Sequence, residues 1–227
     1  DYRTTEDIDL VAGIDLSELP LLTRPLVECG WRNDPRREHR WISRGGVRVD
    51  LIPVGSQARR DKRLMWPRGE TTMSLVGVEH VFRGAVEREM APGLVVKVVP
   101  LVILTLLKIV SYLEEPFVRR KDLIDLAGIL DVYEEGGDRR FSDVVVDAGV
   151  DYSEAGAYLL GWDLARLCAD EDERAAVHRF IGLLSAEDDA SFVADQLFGD
   201  AQRGRGQRLL LEMAAFSKGW SSLEAGK

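Results

Sequence analysis

Asp7-Ile8-Asp9-Leu10-Val11-Ala12-Gly13-Ile14 is the stretch on which the fold turns. Its run of apolar and β-branched residues predicts a strand. Alternate residues of a strand share a face, so the carboxylates of Asp7 and Asp9 should emerge about 6.6 Å apart on one side, with Ile8 toward the core. Two hard carboxylates on one rigid edge suit Mg²⁺, which prefers oxygen ligands and takes few protein groups. In a two-metal site the ions stand about 3.5 to 4 Å apart, a gap that neighbouring Asp side chains bridge.

A second strand is expected downstream, over Val47-Arg48-Val49-Asp50-Leu51-Ile52-Pro53-Val54. An Asp inside so apolar a strand costs desolvation energy unless a partner or a cation compensates it. Arg48 and Arg44 are the nearest candidate partners. If the two strands are neighbours, Asp50 joins Asp7 and Asp9 as a third carboxylate and a metal site becomes the sharper reading.

Further outward, the composition is that of a globular protein: 227 residues, 45% hydrophobic and 30% charged. This excludes wholly disordered, collagen-like and coiled-coil molecules. Cys29 and Cys168 stand far apart without CxxC spacing, so neither a disulfide framework nor a zinc ribbon is expected, and a cytoplasmic location fits. The longest apolar run, Leu94 to Val110, is interrupted by Lys97, Pro100 and Lys108 and is too short to span a bilayer, so no membrane association is expected. The first residues are acidic and have no apolar core, unlike a signal peptide.

Charge is unevenly distributed. The net charge is -9, yet residues 24 to 69 hold twelve Arg or Lys against five Asp or Glu, a local excess of +7 that leaves -16 elsewhere. Within that segment Arg59, Arg60, Lys62, Arg63 and Arg68 surround Trp66, the mixture of phosphate-pairing and stacking groups used on nucleic acid. A solvated surface of mixed sign is the alternative.

Pattern divides the chain near residue 100. Residues 1–100 read as an α/β core with one helix around Glu18 to Cys29, and residues 101–227 as a helical domain with apolar residues at three- and four-residue steps. Lys108 lies in an apolar helical run and must either reach water or find an anion, such as a carboxylate or a bound triphosphate. Asp122 and Asp125 are one turn apart on the next helix, whose buried stripe should be Leu123, Leu126, Ala127 and Leu130. Placement of an acid at a helix N-terminus explains Asp122 alone.

These residues together resemble a family. Arg3-Thr4-Thr5-Glu6-Asp7-Ile8-Asp9-Leu10 is similar to the R-x-[ST]-x-D-I-D-[LF] segment of nucleotidyltransferases of the DNA polymerase β superfamily, in particular the AbiEii/AbiGii toxin type. Leu107-Lys108-Ile109-Val110 with Arg119-Arg120-Lys121-Asp122-Leu123-Ile124-Asp125-Leu126 resembles that group's "LK…R..KD..DL" helical motif. The matched blocks span residues 3 to 126. The resemblance implies an α+β fold, a polymerase-β-like mixed sheet followed by a helical C-terminal domain that contributes to the active site. It also implies a Gly-Gly or Gly-Ser phosphate turn ahead of the Asp7 strand, where this chain shows only Asp1 to Glu6. Gly55-Ser56 follows a different strand.

The expected activity is transfer of a nucleoside monophosphate from an NTP to an acceptor hydroxyl. In that reading Asp7, Asp9 and Asp50 hold Mg²⁺ or Mn²⁺, Arg3, Thr5 and Lys121 bind nucleotide, and Lys108, Asp122 and Asp125 complete the nucleotide site. Arg59, Arg60, Lys62, Arg63 and Arg68 would receive the acceptor. By the same resemblance the acceptor is RNA, in particular a tRNA end, and the chain is a toxin with an antitoxin protein as partner. Two other readings compete: a DxD glycosyltransferase, and a non-catalytic RNA- or partner-binding protein on the same scaffold.

Other residues are read as structural. His39, His80 and His178 show no metal-ligand spacing. Ser56 lacks a nucleophile elbow and Cys29 has no base. Arg203 to Arg208 read as a charged turn before the last helix.

Overall fold

The computed structural model describes residues 7–68, 71–116, 118–185 and 203–223. Arg3 and Thr5 lie outside the described residues, as do residues 186–202 of the expected helical domain. The chain is a mixed α+β protein that separates into two compact units, one ending at Glu79 and one beginning at His80. The change of periodicity at Leu101 therefore falls inside the second unit.

In the first unit a four-stranded mixed sheet has the order β1 (Asp7–Ala12), β4 (Arg48–Pro53), β3 (Arg37–Ile42), β2 (Arg32–Asp34). Strand β1 (Asp7–Ala12) is followed by a 3-10 turn (Leu16–Glu18) and helix α1 (Leu19–Glu28). Glu18 accepts a hydrogen bond from the Asp15 backbone N–H at 2.9 Å, and Pro20 in the first helical turn needs no backbone donor there. Strands β2 (Arg32–Asp34), β3 (Arg37–Ile42) and β4 (Arg48–Pro53) complete the sheet. Then come α2 (Ser56–Asp61) and a small ribbon of β5 (Arg63–Met65) and β6 (Thr72–Ser74).

Register is set at the β3–β4 turn. Ser43 N–H donates to Val47 O at 2.9 Å and Gly46 N–H to Ser43 O at 3.1 Å, while Gly46 takes φ +83°, a conformation that suits glycine. Beyond this turn Trp41 faces Val49 and Arg40 faces Asp50. On its other side β4 pairs in parallel with β1, placing Ile8 beside Val49 and Asp9 beside Asp50. The two segments read as strands are thus neighbours.

Leu19, Leu26 and Trp31 pack against Trp41, Val49 and Leu51 to form this unit's core. Ile8 does not join it. The sequence places Ile8 toward the core, but it is 52% exposed. The reason is its position at the sheet edge: the packed layer covers the inner strands β3 and β4, and among the described residues only one side of β1 has a strand beside it.

Helix α3 (Val78–Gly84) spans the boundary between the units. The second unit holds the hairpin β7 (Val86–Ala91) and β8 (Leu94–Val98), then α4 (Leu101–Glu114), α5 (Arg120–Val132) and α6 (Asp143–Asp147). Helices α7 (Ala155–Leu167), α8 (Glu171–Ser185) and α9 (Arg203–Ser222) follow. The stretch read as a charged turn, residues 203–208, is instead the opening of α9. Leu123, Leu126, Ala127 and Leu130 are buried as their spacing predicts. Buried Arg140 donates to Tyr133 O at 2.6 Å and Asp131 O at 3.1 Å, satisfying carbonyls that α5 leaves open at its C-terminus. Among the described residues no helix is long and apolar enough to cross a membrane.

Helices α7 and α9 meet backbone to backbone. A Cβ added at Gly161 would stand 2.1 Å from Phe216 O, and one at Gly219 would stand 2.0 Å from Tyr158 O. Alanine gains about 1 kcal/mol over glycine in helix propensity. That gain cannot offset a clash with a carbonyl that has no rotamer to escape into. Gly161→Ala is expected to lower the unfolding free energy by about 3 kcal/mol in urea denaturation. A variant as stable as the parent chain would contradict this packing.

Candidate functional site

Three strands bring one polar cluster together. Asp9 on β1, Asp50 on β4 and Arg40 on β3 fall in one row across the sheet, and Asp7 stands two residues along from Asp9 on the same face. The expected meeting of Asp7, Asp9 and Asp50 on one face is therefore present. Its basic member was not expected. The Arg40 Nε donates to Asp50 Oδ1 at 2.8 Å, and its Nη2 donates both to Asp50 Oδ2 at 2.7 Å and to Asp7 Oδ2 at 2.5 Å.

Burial makes this fork the dominant local interaction. Arg40 is 8% exposed and Asp50 6%, while Asp9 is exposed. Hydrogen bonding to Asp50 is the largest cause that holds the Arg40 guanidinium well above its ordinary pKa, with the charges of Asp50 and Asp7 adding to it. Asn33 supports the row from β2, its Nδ2 donating to Arg40 O at 3.0 Å and to Glu38 O at 2.9 Å.

The sequence pointed to Arg48 or Arg44 as the partner of Asp50, because those are close along the chain. Arg40 wins through the antiparallel register, which puts it directly opposite. His39, read as an ordinary histidine, also comes near, with Nε2 at 3.7 Å from Asp50 Oδ2. The signal that would have found Arg40 is the Ser43-to-Val47 turn, since counting back from it pairs Ile42 with Arg48 and then Arg40 with Asp50.

The fit of a divalent cation can be tested on this geometry. One nitrogen lies within hydrogen-bond distance of an oxygen of Asp7 and an oxygen of Asp50, so the two carboxylates converge on a single point of positive charge. The donors are carboxylate oxygens, the type Mg²⁺ and Mn²⁺ prefer. Among the described residues, however, no group of three or more His, Cys, Asp or Glu is arranged to hold a metal ion as it stands. The guanidinium fills that point. The donor set fits a divalent ion, provided that Arg40 withdraws.

The helical unit holds a second cluster, described by itself. Lys108 on α4 donates to Asp125 Oδ2 at 2.6 Å and to Asp122 Oδ1 at 3.4 Å, both on α5. Asp122 Oδ2 also accepts from Ser111 Oγ at 3.2 Å and from Arg119 Nη1 at 3.3 Å, and Arg119 reaches Ser111 as well. The apolar run forces Lys108 to find an anion, and here two carboxylates of its own unit supply it. Lys121 is exposed in the first turn of α5.

The basic stretch is dispersed. Arg59 on α2 forks onto Glu79, with Nε to Oε2 at 2.8 Å and Nη2 to Oε1 at 2.6 Å, and Arg60 donates to Gln57 Oε1 at 2.6 Å. Lys62 ends α2 at φ 51°, and Arg63 is exposed on β5. Arg68 pairs with Glu38 at 3.4 Å and with Asn33. Trp66 is 4% exposed and lies against His39 with ring centroids 5.4 Å apart, so its face is not open to stack on a base. Burial removes the aromatic half of the nucleic-acid reading and leaves the cations.

No family model, no curated protein and no solved structure matches this chain. The functional reading accordingly stands on the cluster of Asp7, Asp9, Asp50 and Arg40.

Proposed function

We propose that the chain is a metal-dependent nucleotidyltransferase of the polymerase-β type, moving a nucleoside monophosphate from an NTP to an acceptor hydroxyl. The observation that carries this reading is the parallel pairing of β1 with β4. It sets Asp9 beside Asp50, with Asp7 on the same face, so three carboxylates share one rigid surface.

Asp7, Asp9 and Asp50 would hold the divalent cation, with Asp7 and Asp50 already directed at one point. A bound Mg²⁺ or Mn²⁺ supplies neutralisation of triphosphate charge and a more acidic acceptor hydroxyl. Asp50 then accepts the hydroxyl proton. The acceptor oxygen forms its bond to the α-phosphorus as the bond from that phosphorus to the bridging oxygen breaks, and pyrophosphate leaves with the electron pair. Rigid strands contribute by fixing the carboxylates, since such chemistry depends mainly on positioning and charge. Arg60, Arg63 and Arg68 are exposed cations of the basic region that would meet an RNA acceptor. A tRNA end as acceptor and an antitoxin as partner belong to the same proposal and rest on the motif resemblance, while a cytoplasmic setting rests on the cysteine pattern.

One observation favours a second reading. Arg40 already pairs with two of the three carboxylates, as it would in a binding protein that keeps the scaffold without turnover. Incubation of the chain with each labelled NTP, total tRNA and either Mg²⁺ or EDTA separates the two. Mg²⁺-dependent label on RNA is the expected result. RNA retention without incorporation from any NTP would replace the enzyme reading with the binding one.

A further inference from the structure

Arg40 stands where a cation on Asp7 and Asp50 must go. Its Nη2 lies 2.5 Å from Asp7 Oδ2 and 2.7 Å from Asp50 Oδ2, and its Nε lies 2.8 Å from the other oxygen of Asp50. Both buried members of the cluster come from inner strands, whereas Asp9 is exposed on the edge strand. A buried carboxylate such as Asp50 is costly without a compensating charge. Here the compensation is permanent and covalently tethered. A guanidinium and a divalent ion cannot occupy one point between two carboxylates, so binding of the second requires departure of the first.

We infer that Arg40 is an internal counter-ion of the site, which pairs with Asp7 and Asp50 in the metal-free protein and competes with the divalent cation for them. The inference rests on the metal reading of the carboxylates and adds to it a determinant of affinity. Metal binding becomes an exchange of one positive group for another. The protein then takes up the cation weakly when alone, and its fold does not depend on metal. The triphosphate that accompanies the metal is of the right chemistry to pair with the guanidinium that the metal displaces.

The experiment measures Mn²⁺ binding to the full chain by the loss of the free-ion electron paramagnetic resonance signal, comparing the parent with Arg40→Gln. The variant is expected to bind Mn²⁺ at least about tenfold more tightly, because a competing charge in direct contact with the ligands has gone. Its thermal midpoint should also rise on adding Mn²⁺ by more than the parent's does, since Asp50 has lost its partner. A role for Arg40 in structure alone would not tighten metal binding.

Because the variant leaves Asp50 uncompensated, the parent chain provides a second measurement. The Arg40 Nε–H, hydrogen-bonded to Asp50, is expected to exchange slowly with solvent in EDTA and rapidly at saturating Mg²⁺. Equal or weaker Mn²⁺ affinity in Arg40→Gln, or an Arg40 Nε–H unchanged at saturating Mg²⁺, overturns the counter-ion while leaving the metal site standing. Absence of Mn²⁺ binding in both proteins overturns the metal reading itself.

Discussion

Asp9→Ala is expected to cut nucleotide incorporation by about a thousandfold or more, equivalent to about 4 kcal/mol of transition-state stabilisation. Folding should be almost unaffected. Asp9 is exposed on the edge strand, and surface positions of that kind change stability by within about 1 kcal/mol when substituted. This separates it from Asp7 and Asp50, where substitution also disturbs the Arg40 fork. The measurement is the initial rate of label transfer to RNA in the Mg²⁺ assay, alongside urea denaturation of the same preparation. A folded Asp9→Ala protein with the parent's rate would remove Asp9 from the chemistry and with it the DxD reading.

Asp50→Ala is the corresponding prediction for stability. The substitution leaves the Arg40 guanidinium, itself buried, without the carboxylate that accepts two of its hydrogen bonds. Breaking a buried pair by removing one partner costs about 3 to 5 kcal/mol, and the loss is expected at the lower end of that range because Asp7 Oδ2 still accepts a hydrogen bond from the surviving guanidinium. The chain should therefore unfold at lower urea, followed by tryptophan fluorescence, with Trp41 and Trp66 as buried reporters in this unit. Replacing both partners by apolar residues, as in Asp50→Leu with Arg40→Met, should recover most of that loss. A single Asp50→Ala change that leaves the urea midpoint in place would mean that the fork contributes little, and the burial argument would fail.

Much of the site was legible because strands have a period of two. The alternation in Asp7-Ile8-Asp9 and in Val49-Asp50-Leu51 fixes which side chains share a face once the strands are adjacent, and adjacency is what the structure supplies. Helical periodicity likewise placed Leu123, Leu126 and Leu130 in the interior and made Lys108 seek an anion. Local pattern does not contain the pairing of β3 with β4, so Arg40 passed unnoticed among twelve basic residues of its segment. Ile8 was misplaced for a related reason: whether the apolar face of a strand is covered depends on its rank in the sheet, which alternation does not encode. Trp66 shows the reverse error, since a ring among arginines looks like a stacking platform until packing against His39 hides it.

The parallel union of β1 and β4 carries a kinetic consequence. Parallel neighbours cannot be joined by a tight turn, and here α1 and the β2–β3 segment intervene before β4 returns to lie beside β1. The β3–β4 hairpin closes over a few residues and needs little loop ordering, whereas Asp9 reaches Asp50 only after a long chain segment has been gathered in. Arg40 and Asp50 should consequently find each other early, and the edge strand with Asp7 and Asp9 should arrive late, docking onto a fork already made.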